Sequence, residues 1–108
     1  MRLLLDESVP KALGFLLAPH YVRTAQTAGF AGLLNGELLA AMKLANYDAL
    51  ITFDQNLPYQ QNVNLPVAVI VLKAHSNRVE TAIQFAPQLL DLLATQLIQK
   101  LTVLALKV

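Results

Sequence analysis

Residues 67–72 read Val-Ala-Val-Ile-Val-Leu, the most continuous apolar run in the chain. A strand that is apolar at every position is buried on both faces, which is typical of a parallel sheet covered by helices on each side. Two more short runs, Arg2–Leu5 and Ala49–Phe53, are mostly apolar and end beside a carboxylate. We therefore predict an open α/β sheet in three layers, with mainly parallel strands.

Strand-like and helix-like segments alternate along the rest of the sequence, in the order β-α-β-α-β-β-α-β. The predicted strands are Arg2–Leu5, Tyr21–Ala25, Ala49–Phe53, Val67–Leu72 and Leu101–Leu106. The predicted helices are Val9–Leu17 capped by Ser8, Gly36–Ala45 capped by Asn35, and a long helix from Ser76 or Asn77 to Gln99, interrupted or split at Pro87. A short helical turn around Asn56–Gln61 could connect the third and fourth strands.

The composition indicates one apolar domain spanning residues 1–108. Apolar residues make up 56% of the chain and charged residues 14%, against about 45–50% and about 25% in average soluble proteins. A sheet buried on both faces would account for this composition, and so would a homodimer that hides apolar surface. The apolar helix Val79–Ile98 either covers the sheet or contributes to such an interface.

The same data suggest a cytoplasmic protein that does not enter a membrane. No apolar run approaches the roughly 18 residues that a membrane-spanning helix needs, and a strand-like segment already begins at Arg2. Cysteine is absent, which excludes disulfides and thiolate metal sites. The formal net charge of +1 does not by itself indicate nucleic-acid binding.

Carboxylates cluster at the ends of predicted strands. Asp6 and Glu7 follow the first strand, Asp54 follows the third, and Glu37 lies in the first turn of the helix after Asn35. Because the carboxyl ends of parallel strands share one edge of the sheet, these acids are expected to lie near one another. Each also has a purely structural explanation when considered alone, such as a loop turn for Asp54 or a helix-dipole contact for Glu37.

A group of carboxylates repels itself unless a cation neutralises it. Mg²⁺ prefers oxygen ligands, and a metal held in this way can activate water and stabilise charge on a phosphate. The predicted site therefore consists of Asp6, Glu37 and Asp54 around Mg²⁺ or Mn²⁺. Glu7 and Thr52 are predicted to support it.

Several cations could contact a nucleic-acid backbone. The candidates are Arg23, Lys73 and Arg78, although phosphate contacts by such residues carry no sequence information. His75 could meet a phosphate together with Arg78, or it could simply lie in a solvated loop.

Three segments in this order resemble the DUF5615 family of PIN-like proteins. They are Leu3-Leu4-Leu5-Asp6-Glu7-Ser8-Val9-Pro10, Gly32-Leu33-Leu34-Asn35-Gly36-Glu37-Leu38-Leu39 and Thr52-Phe53-Asp54-Gln55-Asn56-Leu57. The run from Thr52 to Asn62 and the later Ser76-Asn77-Arg78 resemble one branch of that family, so the similarity covers most of the chain.

The resemblance implies a PIN-like α/β/α fold and a Mg²⁺-dependent ribonuclease of the toxin type, paired with a small antitoxin. It carries the metal-binding role over to Asp6, Glu37 and Asp54. The expected partners are RNA, a cognate antitoxin and a second copy of the chain.

Two other functions fit the same pattern. In a phosphate-accepting receiver domain, an acidic pair follows the first strand and an Asp follows the third, but a Lys is needed after the fifth strand. Lys107 lies at the terminus and Lys73 follows the fourth strand. A non-catalytic interaction module on the same fold is the second alternative.

Overall fold

The computed structural model describes residues 1–33, 35–55, 65–95 and 101–106, and of Asn35 only the backbone. The strands in this part are β1 (Arg2–Leu5), β2 (Tyr21–Thr24), β3 (Ala49–Thr52), β4 (Ala68–Lys73) and β5 (Leu101–Ala105). The helices are α1 (Ala12–Phe15), α2 (Asn35–Leu44), α3 (Val79–Ala82) and α4 (Ala86–Leu93), with a 3₁₀ turn at Ile83–Phe85. The predicted turn at Asn56–Gln61 lies outside the described residues.

All strand pairs are parallel, and the strand order is β2-β1-β3-β4-β5. This confirms the predicted parallel sheet in an α/β/α arrangement. From β1 the chain first adds β2 on one side and then β3, β4 and β5 on the other. The order therefore reverses between β1 and β3, and in open α/β sheets such a switch point leaves a crevice at the carboxyl ends of the strands.

Alternate residues of the strands enter two separate cores. Leu3, Leu5, Ile51 and Ile70 face α1, the 3₁₀ turn and α4, in a cluster that contains Leu13, Phe85, Leu89 and Leu93. Leu4, Leu50, Val69 and Val71 face α2, in a cluster that contains Leu39 and Met42. The continuous apolar run in β4 is thus explained by burial on both faces, as predicted.

Helix α1 is shorter than predicted. The expected helix Val9–Leu17 is reduced to Ala12–Phe15, preceded and followed by turns. Ser8 does not cap it, because the residue before the helix is Lys11, which makes no side-chain cap. Ser8 instead makes hydrogen bonds at the end of β1, which are described below.

The long C-terminal helix is interrupted earlier than predicted. The interruption is the 3₁₀ turn Ile83–Phe85, and Pro87 lies in the first turn of α4. Proline is tolerated there because the first N–H groups of a helix have no intrahelical acceptor. Residues 96–100, where the prediction placed the end of this helix, lie outside the described residues.

Helix α2 agrees with its predicted range to within one residue. It ends before Asn46, whose φ of +63° is a left-handed conformation that commonly terminates helices. Of the helices in the described ranges, none has the length and apolarity needed to cross a bilayer.

Candidate active site at the carboxyl ends of the strands

The candidate site lies at the switch point between β1 and β3. These strands pair in parallel, with Leu5 opposite Ile51. The backbone N–H of Asp6 donates to the carbonyl of Ile51 at 3.0 Å, so the pairing continues one residue past β1. Asp6 and Thr52 therefore lie side by side where the strand order reverses.

The Asp6 carboxylate is half-buried and accepts hydrogen bonds on both oxygens. Ser8 donates its backbone N–H to Oδ1 and its hydroxyl to Oδ2, each at 3.3 Å. The hydroxyl of Thr52 also donates to Oδ2 in a short hydrogen bond. These donors fix the orientation of the carboxylate.

Thr52 connects the two strand ends. Its side chain is buried, with 1% of its surface exposed. While its hydroxyl donates to Asp6, the same oxygen accepts the backbone N–H of Asp54 at 3.0 Å. One hydroxyl thus joins the carboxylate of Asp6 to the backbone that carries the exposed Asp54.

Ser8 is a site residue that the sequence analysis assigned only to a helix cap. Its hydroxyl accepts the backbone N–H of Phe53 at 3.1 Å while donating to Asp6. The signal that could have identified it is its position two residues after a strand-end Asp, where a hydroxyl commonly forms a local turn with the carboxylate. Ser8 and Thr52 together lock the β1 and β3 loops to each other.

A third loop, residues 74–78 after β4, completes an open cleft. Asn77 donates its side-chain N–H to the carbonyl of Ser8 at 3.3 Å, and Gln55 donates to the carbonyl of Ala74 at 3.4 Å. The cleft has a volume of about 350 Å³. The described residues that line it are Ser8, Phe53, Asp54, Ala74, His75, Ser76 and Asn77.

Glu37 lies in the first turn of α2 and its side chain is exposed. Since α2 connects the end of β2 to the start of β3, its N-terminus belongs to the same edge of the sheet as Asp6. The described residues nevertheless contain no group of three or more His, Cys, Asp or Glu side chains placed to hold a metal ion. The structure thus joins Asp6 and Asp54 through Thr52 but does not gather Glu37 with them in such a group.

The remaining predicted residues have no direct contact with this network. The side chain of Glu7 is exposed and makes no hydrogen bond to another described residue. Arg23 lines a different groove beside α1 and β2, and Lys73 lines a third one with Gln55 and Val103. Arg78 is exposed just before α3. None of the three cations is among the described residues that line the Asp54 cleft.

Arg23 is held by its neighbours on β2 and the following turn. Its guanidinium donates to the Tyr21 hydroxyl at 3.3 Å and to the Thr27 carbonyl at 2.5 Å. The pKa of Arg23 is raised above its ordinary value, chiefly by the hydrogen bond to Tyr21 and secondly by the negative charge that Tyr21 carries when it is ionised. The side chain is therefore always a cation, already engaged by local acceptors.

Comparison of the chain with protein-family models, with curated proteins and with solved structures finds no match. The resemblance to PIN-like proteins accordingly rests on the sequence segments quoted above and stays a prediction.

The geometry defines what the site can do chemically. The exposed carboxylate of Asp54 lines an open cleft at a sheet switch point, and the oriented, half-buried carboxylate of Asp6 is connected to the Asp54 backbone through Thr52. Mg²⁺ usually binds one or two carboxylates and keeps several waters, so two acids with an open side are a suitable donor set for that ion. The arrangement suits a hydrated cation and a ligand that reaches it from solvent.

Proposed function

We propose that this chain is a PIN-like endoribonuclease that depends on Mg²⁺ or Mn²⁺ and hydrolyses RNA phosphodiesters. The observation that carries the proposal is the Asp6–Thr52–Asp54 connection at the switch point between β1 and β3. This connection orients the Asp6 carboxylate and places it next to the backbone of Asp54, whose side chain lines the cleft. Hydrogen bonds that orient ligand side chains are a regular part of metal sites.

In this proposal Asp6 and Asp54 are the direct ligands of the cation. When bound, the cation would lower the pKa of a water molecule and neutralise charge on the phosphate. Ser8 and Thr52 orient Asp6, because their hydrogen bonds occupy the sides of the carboxylate that face the protein. Glu37 is the third acid on the strength of the family resemblance, either as a ligand or in positioning the attacking water. Glu7 has a supporting role.

The partners are also proposals. RNA is the substrate, with Arg23, Lys73 and Arg78 as candidate contacts to its backbone outside the cleft. The resemblance adds a toxin role with a cognate antitoxin. A homodimer is compatible with large apolar side chains at the surface, since Phe15 is 78% exposed and Leu44 is 86% exposed.

Cleavage of RNA by purified variants tests the proposed function. Asp6→Asn and Asp54→Asn keep the shape of each side chain but remove its charge. We expect each to lower the Mn²⁺-dependent cleavage rate of a fluorogenic RNA oligonucleotide by at least about 100-fold, the scale of a lost ligand or its support. Asp91→Asn is the matched control, because Asp91 is exposed on α4.

Trace ribonuclease from the expression host would make all preparations equally active. Parent and variants are therefore purified in parallel and assayed with Mn²⁺ and with a chelator. Equal, chelator-insensitive rates in all four proteins would contradict the proposal.

One observation favours a non-catalytic module instead. The described residues hold no group of three or more His, Cys, Asp or Glu side chains placed to bind a metal ion, so Glu37, Asp6 and Asp54 do not form such a group. Calorimetric titration of the parent with Mn²⁺ separates the two functions. Binding that is lost in Asp6→Asn supports the nuclease, whereas no heat of binding at millimolar Mn²⁺ supports the module.

Another observation favours a receiver-like phosphate acceptor. The strand order β2-β1-β3-β4-β5 is one of the two common orders of doubly wound sheets, and Asp54 follows β3 as such a domain requires. Lys107, the Lys nearest to the end of β5, lies outside the described residues. Beryllofluoride, a phosphoryl mimic, would perturb the Asp54 backbone amide signal in an NMR titration if this alternative holds.

A further inference from the structure

His75 lies in the cleft on a loop that is tied to both acidic loops. Ala74, before it, accepts a hydrogen bond from Gln55, the neighbour of Asp54. Asn77, after it, donates to Ser8, whose hydroxyl contacts Asp6. Within the loop, the backbone N–H of Arg78 donates to the Ser76 hydroxyl at 3.0 Å. These contacts connect the loop that carries His75 to the loops that carry Asp6 and Asp54.

The imidazole of His75 is available to a ligand. Its side chain is exposed, lines the cleft with Asp54, and makes no hydrogen bond to another described residue. The other polar groups of the described lining are acids, amides or hydroxyls. Histidine is the side chain that gives and takes protons near neutral pH, so His75 is the natural proton donor among the described cleft residues.

Hydrolysis of RNA is accelerated by such a donor. The bond that breaks joins phosphorus to a ribose oxygen, and an alkoxide is a poor leaving group unless it receives a proton as the bond breaks. General acid catalysis of this kind contributes typically about 10²–10⁴-fold to a rate. In the proposed function Asp6 and Asp54 are ionised ligands of the cation, so they cannot supply this proton.

We propose that His75 is the general acid of the hydrolysis, an inference that rests on the proposed function. The oxygen of water bonds to phosphorus while the bond from phosphorus to the ribose oxygen breaks. The imidazolium of His75 gives its proton to the departing oxygen and becomes neutral imidazole. The attacking water releases a proton to solvent, and His75 takes one up from solvent before the next turnover.

A comparison of two substrates tests this role. RNA has a leaving group that needs a proton, whereas bis(p-nitrophenyl) phosphate expels p-nitrophenolate, which leaves without one. With Mn²⁺ present, His75→Gln should lower RNA cleavage by about 100-fold or more and leave hydrolysis of the aryl ester within about 3-fold of the parent. Asp6→Asn should lower both rates.

His20→Gln is the matched control, because the chain has two histidines and His20 lies at the opposite end of β2 from the carboxyl edge. It should leave both rates unchanged. The same pair of variants assigns the two imidazole proton signals in the NMR spectrum. Titration with inorganic phosphate should then shift the His75 signal and not that of His20, a readout that does not depend on activity.

The outcomes separate the two proposals. If the parent cleaves both substrates and His75→Gln loses the same factor on each, or none, the general-acid role is overturned while the nuclease remains. The general-acid role is also overturned if inorganic phosphate does not shift the imidazole proton signal of His75. If the parent cleaves neither substrate, the proposed function fails and the role of His75 fails with it.

Discussion

At the scale of single residues, the site depends on one buried hydroxyl. Thr52 donates to Asp6 and accepts from the Asp54 backbone, and its methyl group lies in a strand that is buried throughout. A threonine in an apolar strand is ordinarily a weak signal, because β-branched residues are common in strands. Here the hydroxyl of Thr52, and not its β-branched shape, makes the contacts that connect Asp6 to Asp54.

We expect Thr52→Val to destabilise the protein although it preserves the side-chain shape. The substitution leaves the Asp54 N–H without its acceptor and removes a donor from Asp6, which should lower the free energy of unfolding by about 1–3 kcal/mol. Urea denaturation followed by circular dichroism measures this change.

Thr52→Ser is the control for that substitution, because it keeps the hydroxyl and loses one methyl group. It should cost about 1 kcal/mol of unfolding free energy and preserve Mn²⁺ affinity. Thr52→Val should weaken Mn²⁺ binding by about 10–100-fold. Unchanged stability and unchanged Mn²⁺ binding in Thr52→Val would show that the hydroxyl is dispensable.

At the scale of elements, α1 approaches the sheet closely at a glycine. A Cβ placed on Gly14 would lie 3.0 Å from a methyl carbon of Val22 in β2 and 3.5 Å from one of Leu5 in β1. In α2, by contrast, a Cβ on Gly36 would meet no atom within 4 Å. Two helical glycines in one chain therefore have opposite roles, and only the packing distinguishes them.

We expect opposite effects on stability from substitutions at these glycines. Gly14→Val should lower the unfolding free energy by about 1–3 kcal/mol, because the added methyl groups displace α1 from β2. Gly36→Ala should raise it by about 0.4–1 kcal/mol, since it restricts the unfolded chain and improves helix propensity. Thermal unfolding of both variants measures the effects. A stabilised Gly14→Val would mean that α1 does not pack as described.

At the scale of the whole molecule, two cores share one set of strands. Leu89 of α4 lies in one core and Leu39 of α2 in the other, and both are almost fully buried. Adjacent residues of β1, β3 and β4 point into opposite cores, so neither layer can separate without exposing the same strands. The structure thus implies one cooperative folding unit.

We expect Leu39→Ala and Leu89→Ala each to lower the unfolding free energy by about 2–5 kcal/mol. In urea each should move the whole transition to a lower midpoint without changing its slope, because the same total surface is exposed. Leu44→Ala, at a position that is 86% exposed in α2, is the control and should change stability by less than about 0.5 kcal/mol. A second transition in either core variant would show that the layers unfold separately.

Much of the architecture could be predicted from local sequence. The sequence pattern predicts β1 to β5 to within one residue at their ends. The signal is strongest in the central strands β1, β3 and β4, because burial on both faces requires apolar side chains at nearly every position. Helix α1 could not be delimited in this way, because the structure reduces the predicted Val9–Leu17 to Ala12–Phe15 between two turns. The division of the C-terminal helix had a local signal in Pro87, although the 3₁₀ turn Ile83–Phe85 lies a few residues before it.

The sequence by itself determined which residue types follow which strands, and hence that Asp6 and Asp54 would both stand at the carboxyl edge. Only the tertiary structure decided which strands are neighbours, and therefore that Thr52 connects the loops of these two acids and that Ser8 belongs to the site. It also decided that the two acids and Glu37 do not form a three-carboxylate group. The physical reason is that strand periodicity is a property of each segment, whereas hydrogen bonds between segments distant in sequence depend on strand order and register. The position of His75 across the cleft belongs to this second class.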